Sequence, residues 1–431
     1  MKGRQCRSVV RPLVVCVALA LLEPFALAQD EGASPLSPDP LARYVPLPGL
    51  PSFRAPFLRL EDPGGCRFLS LSPDTRFLAL TNRRDEVRVF DLATGKVVWE
   101  WAYPELLSTS LGVIVWPFCP LGREAWETGR WRLTNVPGSP RGWPGDSGAL
   151  FAPDGRGLAV VHNACLSNSH VVTETPEGVA VSPGVWLIGG YLHFFDDPDL
   201  QLRMTVEVDR PQQLPMSTTI LHGLAAVTAF AYAPDARLAV TGSSEGMLAL
   251  WDVSTGASVA RTRAEWLPEE APRVSAVAFS PDGRHVASIG ASGTVRLWSV
   301  TQLRQEAELP GHAQPGFWVS YSPDGGRVAS AALDDELRIW DPDTHLTLEQ
   351  INWRRRAGEG PVFAYHPRGA GILFGATRDG AVAGMLPDGP ARTEYVVPLD
   401  LPDVAALAVS LDGNRIAVGD RNGHVLIFQA G

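Results

Sequence analysis

From residue 57 onward, apolar and polar positions alternate in short runs, with no sustained helical spacing. Val274, Ala276 and Ala278 fall on one side of an extended segment, and His285 to Ile289 repeats the pattern. Period-two alternation of this kind predicts half-buried strands. Between the two runs stands Ser280-Pro-Asp-Gly283. Proline presets φ, aspartate hydrogen-bonds nearby backbone and glycine accepts a positive φ, so the four residues predict a tight turn. A further turn containing glycine leads to a third strand, Thr294 to Trp298. After the third strand comes aspartate with Thr-Gly, as in Asp252-Val-Ser-Thr-Gly256 and Asp91-Leu-Ala-Thr-Gly95, and then a fourth strand.

This unit recurs. Leu71-Ser-Pro-Asp-Thr-Arg-Phe-Leu-Ala-Leu80 parallels Phe279-Ser-Pro-Asp-Gly-Arg-His-Val-Ala-Ser288, with similar lines beginning at Phe151, Tyr232, Tyr321, Tyr365 and Val409. Its proline falls at 73, 153, 234, 281, 323 and 367, with Leu411 in the seventh slot, giving spacings of 80, 81, 47, 42, 44 and 44. The last four lie near the roughly 40–45 residues of one propeller blade. A four-stranded antiparallel unit cannot bury both faces alone, whereas radial stacking buries them.

The units resemble WD40 repeats. Trp251-Asp252 and Trp340-Asp341 are literal WD pairs, and Trp298-Ser299, Phe90-Asp91 and Phe428-Gln429 are degenerate ones. The resemblance spans residues 57–431 and implies an all-β, seven-bladed WD40-like β-propeller with insertions at 103–147 and 163–190. Eight blades is the alternative, because 103–147 is long enough for one degenerate blade, with strand-like content at Val113–Trp116, Ala125-Trp126 and Trp131–Leu133. The last strand pattern, Val425 to Gln429, reads as a third strand, and Phe57–Leu60 is a strand without an earlier partner. The expectation is that this N-terminal strand completes the last blade and closes the ring, since an open ring would expose a sheet edge.

The N-terminal segment is different. Lys2, Arg4, Arg7 and Arg11 precede an apolar run, Leu13 to Leu22, which Glu23 and Pro24 end; Ala26-Leu27-Ala28 then offers a small-x-small cleavage site. This is the order of a secretory signal over 1–28, and a membrane anchor needs about 20 apolar residues. Cys16 follows Val15, not the small residue of a lipoprotein signal. The expected location is periplasmic or secreted. Residues 29–56, with prolines at 35, 38, 40, 46, 48, 51 and 56, read as an extended linker.

The net charge is −10, and removal of the signal, with four basic residues and one acidic, makes it −13. An acidic chain is a poor nonspecific binder of nucleic acid. No later apolar run reaches membrane-spanning length, and a monomer is expected. Cys66, Cys119 and Cys165 remain after processing. An odd number leaves at least one thiol unbridged. Cys119 and Cys165 fall in segments read as irregular, and two readings stand: they pair, or all three are free and mostly buried.

No constellation reads as catalytic. Gly145-Asp-Ser-Gly148 resembles the nucleophile motif of trypsin-like proteases, with Ser147 in the nucleophile place, but the first histidine, His162, comes after it and a repeat unit begins at Phe151. His162, Cys165, His170 and His193 match no closed zinc spacing. Asp196, Asp197 and Asp199, and Asp341 and Asp343, lack the calcium-loop spacing and read as polar turns. No metal or cofactor is expected. The resemblance further implies a buried polar chain of His, Ser or Thr, Asp and Trp, matched in full by His312, Ser330, Asp334 and Trp340, with Ser292 and Glu245 standing where that aspartate belongs in other units. Its implied role is structural.

The implied connectivity puts both insertions and the Arg354-Arg355-Arg356 loop on the face opposite the Pro-Asp-Gly turns. Trp116, Trp126, Trp131, Trp143 and Trp186 lie in the insertions. Tryptophan and arginine are frequent interface anchors. The expected function is therefore a non-enzymatic scaffold binding a protein or peptide on that face; a small satellite core is the competing use of the tryptophans. A quinoprotein-like propeller enzyme, or a sensor holding a small ligand in the central channel, is the alternative function.

Overall fold

A computed structural model describes residues 56–102 apart from 85; 148–208 apart from 168–170, 176–177, 183–185 and 197–199; and 226–429 apart from 266–271, 353–362, 368–372, 377–380, 386–392, 399–400 and 402–403. Those residues form seven four-stranded antiparallel sheets and one small hairpin. In chain order, with strands a to d from the centre outward, the first sheet is Cys66–Leu71, Phe77–Asn82, Val87–Asp91 and Lys96–Trp101. The second is Gly148–Phe151, Gly157–Ser167, Trp186–Asp196 and Gln201–Glu207. The third is Val227–Tyr232, Leu238–Ser243, Met247–Asp252 and Ser258–Arg263, and the fourth Val274–Phe279, His285–Gly290, Val295–Ser299 and Arg304–Leu309. The fifth is Gly316–Tyr321, Val328–Ala332, Glu336–Trp340 and Thr347–Asn352, and the sixth Phe363–Tyr365, Leu373–Ala376, Ala381–Met385 and Thr393–Pro398. The seventh takes Val404–Val409, Arg415–Asp420 and His424–Gln429 from the C-terminal end, and its strand d, Pro56–Glu61, from the N-terminal end.

Each sheet meets the next through its inner strands, and strand a of the seventh meets strand a of the first. The chain is thus an all-β propeller. Residues Phe57 to Leu60 lie in the strand that pairs with the last C-terminal strand, Leu60 opposite Val425. Leu60 sits in the core between the seventh and first sheets, with Leu69, Leu78, Leu80, Val425 and Ile427. Pro56, read as the last linker residue, already belongs to this strand.

Two local devices recur among the described residues of the sheets. The turn between strands a and b is closed by side chains where serine leads it: Ser280 Oγ donates to Asp282 Oδ1 (2.6 Å), the same carboxylate oxygen accepts from Arg284 N (3.0 Å), and His285 N donates to Ser280 Oγ (2.9 Å). Gly283 supplies φ +70° at its corner, where Thr75 and Ala236 hold φ 60° and 59° in the first and third sheets. The second device is a bulge in strand d. In the fourth sheet Leu297 faces Ala307 and Trp298 faces Gln305, which leaves Glu306 without a cross-strand partner. Val98, Arg203, Val259, Leu348, Glu394 and Phe57 hold the same place in the first, second, third, fifth, sixth and seventh sheets. A bulge re-aims the extra residue, which accounts for the exposure of Val98, Val259, Leu348 and Phe57.

The segment 163–190 corrects the expectation of an irregular insertion. Strands b and c of the second sheet are 11 residues each and pair without interruption from Gly157 opposite Asp196 to Ser167 opposite Trp186. A hairpin, Val171–Thr175 with Gly178–Ser182, lies within the excursion. Cys165 therefore occupies a strand, opposite Ile188. The alternation was hidden because small and polar residues, Asn163, Ala164 and Gly189-Gly190, occupy the paired positions.

Candidate functional site

Of the residues singled out in the sequence, the structure brings together His312, Ser330, Asp334 and Trp340. Trp340 Nε1–H donates to Ser330 Oγ (2.8 Å), His312 Nε2 meets that hydroxyl at 2.8 Å, and His312 Nδ1 lies 3.1 Å from Asp334 Oδ2. An indole only donates and a carboxylate only accepts. The chain of protons therefore runs Trp340 to Ser330, Ser330 to His312 Nε2, and His312 Nδ1–H to Asp334, with a neutral imidazole. Burial holds the His312 pKa below its ordinary value, although Asp334 pulls the other way. Arg338 lies over Trp340 with its guanidinium carbon 5.9 Å from the ring. Gly311 makes room for both, since a Cβ there would meet Arg338 Nη1 at 2.2 Å.

Among the described residues, His312, Asp334 and Glu336 are the one group of three metal-competent side chains close enough to share an ion. Both ring nitrogens of His312 are already engaged, so an ion would displace the hydrogen bonds that hold strand to strand. The group reads as structural.

Sequence reasoning found one complete network and missed its substitutes. Trp251 Nε1 donates to Thr241 Oγ1 and Trp298 Nε1 to Ser288 Oγ, each at 2.9 Å, so the tryptophan end recurs in the third and fourth sheets. At the other end, the histidine is replaced by a buried acid paired with the arginine of strand c. In the fourth sheet Glu265 accepts from Arg296 Nη1 (2.6 Å) and from Ser292 Oγ (3.1 Å). In the first sheet Asp62 accepts from Arg88, from Asn82 Nδ2 (3.2 Å) and from Gly64 N (2.7 Å). Burial raises the Glu265 pKa, opposed by Arg296. The signal was present as the repeated Val/Leu-Arg-x-Trp/Phe of strand c, Arg88, Arg296 and Arg338, but its acids lie in the connections before strand a, where spacing varies.

His162 and His193 belong to no group of three metal-competent side chains among the described residues, and the side chain of Cys165 lies outside them. The two histidines lie on neighbouring strands of the second sheet, 6.1 Å apart by ring centroids, with Trp101 of the first sheet 6.1 and 5.2 Å from them. Thr205 Oγ1 is 2.9 Å from His193 Nδ1. Burial, aided by His193, pushes His162 down to about 3, and burial alone pushes His193 down to about 4. Both are neutral core residues at ordinary pH. Asp196 ends strand c opposite Gln201, while Asp197 and Asp199 lie outside the described residues. Asp341 is spent on its own turn, accepting from Asp343 N (2.8 Å) and Thr344 N (2.9 Å). Cys66 is a free, buried thiol whose pKa burial raises.

The inner strands enclose a cavity of about 170 Å³ lined by Phe68, Leu150, Val161, Phe230, Val277 and Trp318, among others, with no charged side chain. Ligand pockets for drug-sized molecules run to roughly 300–1,000 Å³, so this one accommodates no large cofactor. Trp116, Trp126, Trp131, Trp143, Cys119, Ser147, His170 and Arg354 to Arg356 lie outside the described residues. Trp186 opens strand c of the second sheet.

A family model described as WD domain, G-beta repeat matches residues 215–252, 267–299 and 303–341. A comparison with curated proteins returns no match. The three matched segments cover most of the third sheet, the fourth and most of the fifth, where the Trp–Ser/Thr hydrogen bond recurs. On these repeats and this fold, the chain is a β-propeller that carries WD40 repeats.

Proposed function

We propose that the protein is an exported, non-enzymatic interaction scaffold that binds a protein or peptide on the face carrying its two insertions. The observation that carries this reading is the ribbon of the second sheet. Its strands b and c pair to Ser167 and Trp186, well past the short inner strand, which pairs only with Leu158 to Val161. A hydrogen-bonded ribbon rising from a rigid sheet is a suitable platform for recognition. Residues 103–147 leave strand d of the first sheet and enter strand a of the second, so they begin and end on the same face as the ribbon. The tryptophans of both insertions and the Arg354–Arg356 run are the proposed anchors. The same reading takes the ring as seven-bladed, on its seven four-stranded sheets.

The test is affinity capture from the native envelope or culture fluid by the full mature chain. A variant with 103–147 and 168–185 replaced by short Gly-Ser links serves beside it. Loss of the captured partner in a variant with parental melting supports the reading; undiminished capture overturns it. Mass determination of the chain recovered outside the cytoplasm, expected to begin at Gln29, tests export.

A further inference from the structure

Grooves open between neighbouring sheets on the face of the Pro-Asp turns, and two of them differ in the charge of the strand-d bulge residue. Between the second and third sheets the groove contains an arginine of the chain itself. Arg203, the bulge residue of strand d, donates through Nη2 to the carbonyl of Val253 (2.8 Å), and its Nε lies 3.4 Å from Asp196. Its guanidinium stands over Phe194, 5.7 Å from the ring centroid. It faces the buried phenol of Tyr232, which also feels Asp154 and Asp196.

Between the fourth and fifth sheets every one of these positions has a counterpart by strand register. Leu297 stands for Phe194, Ser299 for Asp196, Tyr321 for Tyr232, Asp282 for Asp154 and Pro342 for Val253. The bulge position of Arg203, however, is taken by Glu306. The result is an open groove of about 590 Å³ whose lining includes Asp282, Glu306, Asp324 and Asp343. Two histidines, His285 and His345, share it, and His285 Nε2 lies 3.2 Å from Glu306. Among the described residues no arginine is part of its lining: Arg284 approaches Asp282 only at 4.0 Å with its side chain 81% exposed, and Arg327 acts both on Asp324 and on Tyr365 of the next groove.

Tyr321 presents a polar group to the same groove. It is 7% exposed, it lines the groove, and its hydroxyl makes no hydrogen bond among the described residues. Burial raises its pKa, and so do the Asp282 and Glu306 carboxylates beside it. The ring is buried while its hydroxyl reaches the groove, where it leaves an acceptor position that no donor among the described residues fills.

We propose that this groove receives the guanidinium of an arginine side chain from a partner protein, seated against Tyr321 and Pro342 as Arg203 is against Tyr232 and Val253, with Glu306 and the neighbouring aspartates in the part that Asp196 plays there. A planar guanidinium carries five donors and suits a site of several carboxylates and a carbonyl. A bare metal ion fits less well, because one oxygen each of Asp282 and Asp324 is already committed to its own turn. The groove lies on the face opposite the insertions, so the site is separate from the scaffold surface proposed above and stands or falls independently of it.

The experiment uses the full mature chain and a labelled Gly-Ser-Arg-Ser-Gly peptide, followed by fluorescence anisotropy, with otherwise identical peptides carrying lysine or glutamine at the centre. The arginine peptide is expected to bind at least tenfold more tightly than the glutamine peptide, and binding is expected to weaken with salt. Glu306→Arg, which copies the second sheet, is expected to abolish binding at unchanged melting temperature. Glu306→Gln and Tyr321→Phe are expected to weaken it several-fold, and serve if the arginine variant fails to fold. Equal binding of the arginine and glutamine peptides, no binding at millimolar protein, or binding unchanged by all three substitutions would overturn the proposal.

Discussion

At the scale of residues, the propeller depends on a few groups that cannot be exchanged singly. Ser330 both accepts from Trp340 and serves His312. Ser330→Ala leaves an indole N–H and an imidazole nitrogen buried without partners, at roughly 1–3 kcal/mol each. A loss of about 2–4 kcal/mol in urea unfolding is expected, and a loss below 0.5 kcal/mol would contradict the network's role. Thr75 holds φ 60° at a corner that glycine fills in the fourth, fifth and seventh sheets. Thr75→Gly relieves a strain of about 1–2 kcal/mol against a backbone entropy cost of about 0.5–1 kcal/mol. A small gain in melting temperature is expected.

The histidine pair of the second sheet sets an acid limit. The folded chain holds His162 near 3 and His193 near 4, against an ordinary value of 6.5. Below 6.5 the unfolded chain takes up protons that the fold refuses, so stability is complete above that pH and falls progressively towards pH 4. Melting temperature is expected to drop between pH 7 and 5. The double variant His162→Gln, His193→Gln should show a shallower slope over the same range; an unchanged slope would assign the acid sensitivity elsewhere. The histidines were visible in the sequence as a His/Cys cluster. Their role as core residues was not, because it depends on Trp101 arriving from another sheet.

At the scale of elements, strand alternation and the turn residues made most strands legible, and the closing strand followed from pairing off a strand pattern without a partner. Leu60, buried opposite Val425, carries the prediction. Leu60→Asp should cause aggregation or a melting temperature lower by more than 10 °C, since burying an unpaired carboxylate adds to the loss of roughly 1.5–3 kcal/mol of apolar burial. Arg59→Ser, on the exposed side of the same strand, should melt like the parent. The long ribbon was misread as a loop because glycine and small residues occupy its paired positions. The strand-d bulge was also invisible. A one-residue offset between strands leaves no mark in either strand's own pattern, yet it aims Arg203 into one groove and Glu306 into another.

At the scale of the whole molecule, the ring makes its ends and faces mutually dependent. The N-terminal strand and the three C-terminal strands share one sheet, so the fold cannot close until both ends of the domain are present. Closure also separates two faces. The ribbon rises from one of them, and the acidic groove opens on the other. By itself the sequence determined the all-β class, the repeat, its turns and the closing strand, because each rests on local periodicity, and the resemblance to WD40 repeats implied the tryptophan-to-serine contact. Only the tertiary structure decided which acids stand in for the missing histidines, which groove contains its own arginine and which does not. Those pairings join residues of different sheets, and their register is set by how strands meet across the ring.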